Sequence, residues 1–186
     1  MERYSDKESV FALLDSMGIP YHRQDHQVVR TMEDVESSGV VREGIVLKNL
    51  FLKDGKGRKH FLVCVPETAV IDFRSLGALL GEKQLGLASP ERLKKRLGVD
   101  PGCVSPLNVL NDEKREVVVV LDGGLPDGVI VGIHPNDSTA SAWMEYRYVK
   151  QIVEECGNDV VYLGFDRVVD PRKQKAQPEG TNHEPI

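Results

Sequence analysis

The hydrophobic patterning predicts a mixed α/β (α+β) fold without the regular alternation of a doubly wound sheet. Two observations carry this. A capped amphipathic stretch opens the chain, several short apolar runs follow with helical stretches interspersed, and a helix and a strand close it. One run, residues 44–53, is apolar on both faces, which marks a central strand. With 186 residues the chain can bury a real core as one domain. No internal repeat is visible.

The elements follow in order. Ser5 and Glu8 frame a capping box that satisfies free N–H groups at a helix start. Val10, Phe11, Leu14 and Met17 then recur at helical spacing, and Gly18 stops the helix. A short strand is expected at 19–22, then a helix capped near Thr31 and running to about Ser38. In 44–53, Ile45, Leu47, Asn49 and Phe51 share one face; Val46, Lys48, Leu50 and Leu52 share the other. Residues 54–57 make a hairpin turn into a return strand at 60–65. Asp72 caps a helix that presents Phe73, Leu76, Leu79 and Leu80 inward and ends at Gly81.

A short strand at 84–88 leads to Ser89-Pro90, an N-cap followed by proline at the first helical position. That helix turns Leu93 and Leu97 inward and Arg92, Lys94, Lys95 and Arg96 mostly outward. Strands are expected at 117–121, 129–133 and, shorter, 141–144. Val149, Ile152, Val153 and Cys156 mark an amphipathic helix stopped by Gly157, and 160–163 is a last strand. From Asp170 onward almost nothing is apolar. We divide the chain into a folded domain, 1–168, and a tail, 169–186, expected to be disordered.

Bulk properties exclude several classes. No apolar run approaches the roughly 20 residues that span a bilayer, and the charged N-terminus lacks the apolar core of a signal peptide. Cys64, Cys103 and Cys156 are odd in number and far apart, which fits a reducing cytoplasm better than a disulfide framework. The net charge of -5 gives no global pull towards nucleic acid, so an RNA contact needs a local basic patch. The five histidines and three cysteines show no paired ligand spacing, and no phosphate-binding glycine motif is present. We therefore expect no metal and no cofactor. Cys103 has no nearby base and reads as a small filler.

The chemistry-bearing candidates are few. Residues 98–106 read Gly-Val-Asp-Pro-Gly-Cys-Val-Ser-Pro, a pinned loop able to aim backbone N–H groups at an oxyanion or phosphate; it reads equally as a helix stop and turn. Lys48 lies inside an apolar strand, where burying an ammonium is costly, unless it snorkels to water. Its neighbour Asn49 is the other polar residue there. His134 follows a strand at a Gly-Ile-His-Pro-Asn corner; a lone histidine there serves a site or bonds a turn, and Asn136 and Thr139 read equally as turn formers. The basic run ends beside the 98–106 loop and could meet a sugar-phosphate backbone or simply face solvent.

Four stretches in register are similar to a known family. Val46-Leu-Lys-Asn-Leu-Phe-Leu-Lys-Asp54, Leu87-Ala-Ser-Pro-Glu-Arg-Leu93, the 98–106 loop and Gly132-Ile-His-Pro-Asn-Asp-Ser-Thr-Ala140 resemble the YbaK/prolyl-tRNA-synthetase-associated domain family, in its free-standing PrdX/ProX-like branch, over about residues 5–168. The resemblance implies a compact central mixed β-sheet flanked by helices, and hydrolysis of mischarged tRNA, chiefly Ala-tRNA(Pro). It puts Lys48 on the family's key lysine, Gly98, Pro101 and Gly102 on its G-x-x-P-G loop and His134 on the histidine of its G-x-H-P-N motif. In the family mechanism the loop holds the aminoacyl carbonyl and Lys48 anchors the tRNA terminus or a developing charge. The substrate's own ribose hydroxyl assists the attacking water. Asn49, Val29, Arg30, Asn136 and Thr139 are the substrate-binding candidates, and Arg92, Lys94, Lys95 and Arg96 the tRNA-binding ones. Where the family often reads His-Pro-x-Val-Phe-Thr, this chain has His26-Gln-Val-Val-Arg-Thr31, with Arg30 replacing an aromatic; Cys103 replaces a common serine.

The expected partner is thus the acceptor end of tRNA, with prolyl-tRNA synthetase as a further one, for a monomer or homodimer away from membranes. Two other functions fit the same residues: a non-catalytic tRNA- or synthetase-binding module, and a hydrolase of small esters or amides.

Overall fold

The computed structural model describes residues 4, 6–27 and 41–166. Among them the elements are α1 (Lys7–Ser16), β1 (His22–Asp25), β2 (Ile45–Asp54), β3 (His60–Pro66), α2 (Phe73–Leu79), β4 (Leu85–Leu87), α3 (Pro90–Leu97), a 3₁₀ turn (Pro106–Asn111), β5 (Val117–Asp122), β6 (Ile130–Ile133), β7 (Ala140–Glu145), α4 (Tyr146–Glu155) and β8 (Val160–Leu163). The strands form one eight-stranded mixed sheet in the order β1-β7-β6-β2-β3-β5-β8, with β4 also paired to β2. β2 is central, as its two apolar faces predict.

The sheet divides its side chains between two cores. Leu47 and Phe51 of β2 join Val131 and Ile133 of β6 and Ala140, Ala142 and Met144 of β7 in a core closed by α1, α3 and α4. Leu52, with Leu50 packed against it, joins Phe61, Val63 and Leu76 in a second, smaller core on the opposite face. The two-residue period of a strand separates these sets, so the face of any β2 or β7 residue follows from its position.

Helix ends follow local chemistry. Asp6, not Ser5, caps α1: its carboxylate accepts the Ser9 N–H at 2.8 Å, while Glu8 turns away to Arg23. Asp72 and Ser89 cap α2 and α3 as expected, and Gly98 closes α3 in the left-handed conformation. Three other expectations are corrected. The first strand is 22–25 rather than 19–22, because it is set by pairing with β7, and Ile19 instead packs into the first core. Leu79 points outward at 66% exposure, since the short α2 turns only one stripe to the sheet. The strand expected from Val129 begins at Ile130, where pairing with Glu145 starts. The helix expected at 31–38 and the 169–186 tail lie outside the described residues.

Candidate active site at the fork of the central strand

The sheet forks at β2. Its first residues, Ile45 and Val46, pair in parallel with Val131 and Gly132 of β6. Its last, Leu52 to Asp54, pair on the same edge with β4. Between them that edge has no strand neighbour. The Phe51 carbonyl takes the Ala88 N–H at 2.9 Å, so backbone alternation turns Asn49 and Leu47 towards the same opening.

Lys48 and Asn49 leave β2 on opposite faces of this opening. Asn49 lies on the first-core face and donates its amide to the Val104 carbonyl at 3.0 Å, which ties the 98–105 loop to the strand. Its Oδ1 is buried without a partner. Lys48, half-buried on the other face, donates Nζ to the carbonyls of Glu67 (3.2 Å) and Ala69, which compensate the ammonium on leaving water. Lys48 and the 98–105 loop thus stand on opposite faces of β2, the loop being tied to the strand through Asn49.

His134 stands at the same fork. It lies two positions beyond Gly132, as Lys48 lies two beyond its partner Val46, which is where the β2–β6 pairing ends. The β6–β7 pairing ends at Ile133–Ala142, one position before His134. His134 Nδ1 makes a long hydrogen bond of 3.4 Å to the Ala140 carbonyl, leaving Nε2 as the ring's acceptor in the neutral form. Burial pushes its pKa below the usual value; the Ala140 bond and Asp137 oppose this, and nearby His26 adds to it. The imidazole is therefore neutral near neutral pH. A polar set lies here: Gln24 pairs with Ser141, and His134 and Lys48 stand just past the last paired residues of β6 with β7 and with β2. Beside it runs a row of paired residues, His22, Trp143, Gly132, Val46. Gly132 is required there, because a Cβ would meet the indole of Trp143 at 2.6 Å.

The 98–105 loop is built differently from the expected amide nest. Gly98 N–H bonds the Lys94 carbonyl, and Cys103 N–H closes a turn on the Asp100 carbonyl at 3.1 Å, with Pro101 then Gly102 (φ +92°) at its centre. Ser105 N–H is held by Asn108 Oδ1 at 2.7 Å. Three amides are consumed within the loop, while Pro101 and Gly102 remain exposed at its tip. Asn108 also donates to Asn136 Oδ1 at 2.8 Å, which locks this loop to the one after β6.

Two substrate-binding candidates hold their side chains in hydrogen bonds within the protein. Asn136, buried in the left-handed conformation, spends its amide on Asn108 and on the Tyr4 carbonyl (2.8 Å). Thr139 bonds Asp137 through both its N–H and its hydroxyl (2.6 Å each) and receives Lys7 Nζ at 3.0 Å. Val29 and Arg30 lie outside the described residues. The basic run is largely compensated locally: Arg92 donates to the Gly57 carbonyl, Lys94 pairs with Asp100 at 2.9 Å and Arg96 pairs with Glu116. Surface depressions of about 130 and 480 Å³, beside α3 and α4, are lined by charges of both signs and lie away from the polar set. Among the described residues no group of three or more His, Cys, Asp or Glu side chains is placed to hold a metal.

Ser141, Trp143 and Asn108 escaped the sequence reading. The alternation of 140–145 carries the signal for the first two, but only once β7 is paired to β6.

A lysine and a neutral histidine at one fork, beside a proline-glycine loop, match the family pattern in the sequence, and direct comparison gives the same answer. Residues 26–152 match the aminoacyl-tRNA editing domain, and the chain belongs to that family. The prolyl-tRNA editing protein ProX of Acetoanaerobium sticklandii is 40% identical over 152 residues, covering 82% of this chain and 93% of ProX. The crystal structure of the hypothetical protein APE2540 superposes with a TM-score of 0.62 at 20% identity, over 86% of this chain and 99% of that one. A proposed trans-editing enzyme for prolyl tRNA synthetase gives 0.61 at 17%, over 90% and 99%. These likenesses bear out the expected mixed sheet flanked by helices.

Proposed function

We propose that this chain is a trans-acting deacylase that hydrolyses the aminoacyl ester of mischarged tRNA(Pro), alanyl-tRNA(Pro) first among them. The placement of Lys48 and His134 just past the paired residues of the β2–β6 fork supports this reading, in a chain 40% identical over 152 residues to a prolyl-tRNA editing protein. Water adds to the ester carbonyl, the C–O bond to the terminal ribose breaks, and the products are a free amino acid and a tRNA with its hydroxyl restored. The Lys48 ammonium, held by two carbonyls, is a fixed positive charge for the developing oxyanion or the tRNA terminus. The neutral His134 offers Nε2 as an acceptor at the reacting end. Asn49 and the Gly98–Pro101–Gly102 loop lie on the other side of the opening, and Val29 and Arg30, outside the described residues, are carried as substrate-binding candidates by the family resemblance. Arg92, Lys94, Lys95 and Arg96 meet the acceptor backbone. The substrate's ribose hydroxyl orients the water, and no metal takes part. The protein works in the cytoplasm, alone or docked to prolyl-tRNA synthetase.

The test is hydrolysis of alanyl-, cysteinyl-, seryl- and 2-aminobutyryl-tRNA(Pro) by wild type and Lys48→Ala. We expect turnover of the alanyl ester and a loss of about 10²–10³ in the variant. Equal hydrolysis by the two proteins would refute the assignment. Saturable binding of every tRNA without turnover would make the chain a binding module instead.

A further inference from the structure

The mechanism above uses the Lys48 ammonium, and the turn after β3 is what aims it. An ammonium carries three N–H bonds. Among the described residues two of them go to the Glu67 and Ala69 carbonyls, which leaves one for a substrate. Both carbonyls belong to one turn, where the Ala69 N–H closes on the Pro66 carbonyl at 2.9 Å. The Glu67 N–H reaches back to the Val46 carbonyl of β2 at 2.9 Å. The Glu67 side chain ties the turn a second way: its carboxylate accepts Arg42 Nη1 at 2.5 Å. Arg42 is in turn held at its base. The Gln24 amide on β1 brackets the neighbouring Val41, accepting its N–H at 3.1 Å and donating to its carbonyl at 3.0 Å. A line of contacts thus runs from β1 through Val41, Arg42 and Glu67 to Lys48.

On the reading of Lys48 as the positive charge at the reacting ester, we propose that Glu67 and Arg42 are positioning residues, which fix the turn whose carbonyls direct the third N–H of Lys48. The Glu67 Cα lies between an N–H anchored on β2 and a carbonyl bonded to Nζ. Its side chain is therefore the handle that sets the rotation of that carbonyl. Each side chain of the pair is 33% exposed, so solvent screens the attraction and the pair adds little to folding. Its effect is on direction. A donor fixed in advance stabilises a developing oxyanion without reorganising, and a displacement of about 1 Å removes much of that benefit. An ion pair of small consequence for stability gains a use because the lysine it steadies is the one that meets the substrate.

The experiment measures hydrolysis of alanyl-tRNA(Pro) by Glu67→Ala and Arg42→Ala, each made in the wild-type chain and in Lys48→Ala. In the wild-type chain each is expected to lower kcat by about three- to tenfold, well short of the roughly 10²–10³ that removing a donor outright costs. KM should change by less than about twofold, since the interaction belongs to the transition state. In the Lys48→Ala chain the same substitutions should cost less than about twofold, because they act through the ammonium. The exchanged pair, Arg42→Glu with Glu67→Arg, should recover part of the rate. Equal losses in both chains, a loss confined to KM, or no loss would overturn the proposal. Glu67→Gln, which keeps the shape and removes the charge, decides the matter if Glu67→Ala does not fold. Wild-type inactivity on the alanyl ester would bring down the deacylase reading, and the ¹⁵N signal of the Lys48 side chain then judges the positioning alone. Slow ammonium proton exchange in the wild type, lost in Glu67→Ala, upholds it; a signal that is the same in both overturns it.

Discussion

Gly132→Ala is the sharpest probe of the polar face. A Cβ there would lie 2.6, 2.7 and 2.9 Å from three carbons of the Trp143 six-membered ring. Unstrained carbon contacts sit near 3.5–4.0 Å, so the indole must retreat by about 1 Å. It has little room, being 3% exposed and held in register across the β6–β7 pair. Gly132 does not have a positive φ, so the penalty is steric rather than conformational. Overpacking of this kind costs about 1–3 kcal/mol. For a chain this long each kcal/mol lowers Tm by roughly 2–4 °C, which gives a fall of roughly 2–12 °C. Trp143 is the only tryptophan in the protein, so its emission reports the displacement directly. Because β6 and β7 carry His134 and Ser141, a shift of about 1 Å should also slow deacylation by about 10²-fold. The added substitution Trp143→Phe removes the clashing ring edge, and the double-mutant cycle should return a favourable coupling of about 1 kcal/mol or more. Urea unfolding followed by fluorescence and by far-UV circular dichroism provides the numbers. Unchanged midpoint and emission in Gly132→Ala would refute the packing beside the polar set.

Other consequences follow from the same geometry. Asn108→Ala strands the Ser105 N–H and Asn136 Oδ1, both buried, and should cost about 2–4 kcal/mol in urea unfolding, with deacylation falling as the two loops uncouple. The imidazoles of His134 and His60 are both pushed below the ordinary 6.5, chiefly by burial, so the unfolded chain binds protons first as pH falls. Stability should therefore be undiminished by them above about pH 7 and decline below 6.5, and His134→Asn should flatten the decline in urea midpoints between pH 7 and 5. Lys48→Ala leaves the Glu67 and Ala69 carbonyls without their donor; water reaches a half-buried site, so thermal unfolding should show a loss of only about 1–2 kcal/mol, too little to account for lost activity.

Much of the fold was legible because its signals are local. Caps at Asp72 and Ser89, the Pro90 start, the 54–57 turn and the two-faced β2 each rest on a few consecutive residues. The first helix cap failed by one residue because Ser5 and Asp6 are both competent, and only the geometry chooses. The first strand failed because Ile19 and Tyr21 are more apolar than Arg23 and Gln24, while pairing with β7 decides the span. For the site, Lys48 was visible as a charge inside an apolar run and His134 as a strand-end histidine. Their place at one fork was not, since it depends on a parallel pairing between segments more than 80 residues apart. Asn136 and Thr139 were ambiguous for the opposite reason: a polar loop residue looks the same whether it meets a ligand or its own backbone.

The energetics of the sheet argue that the polar set exists for use. Most buried strand positions carry Val, Leu, Ile, Phe or Ala, which interdigitate and carry no desolvation cost; Asp54, His60 and Asp122 are buried polar exceptions. On and beside β2, β6 and β7 the chain also places a lysine, a histidine and a serine, and in the neighbouring row a tryptophan whose buried N–H has no partner among the described residues. Well-packed apolar side chains of similar volume at such positions would leave stability unharmed. The neighbouring Gly132 carries no side chain for the core, and it is what admits the indole. Departures from good packing that are scattered mean little. Lys48 sits where the central strand lacks a neighbour, and so where a substrate can reach β2.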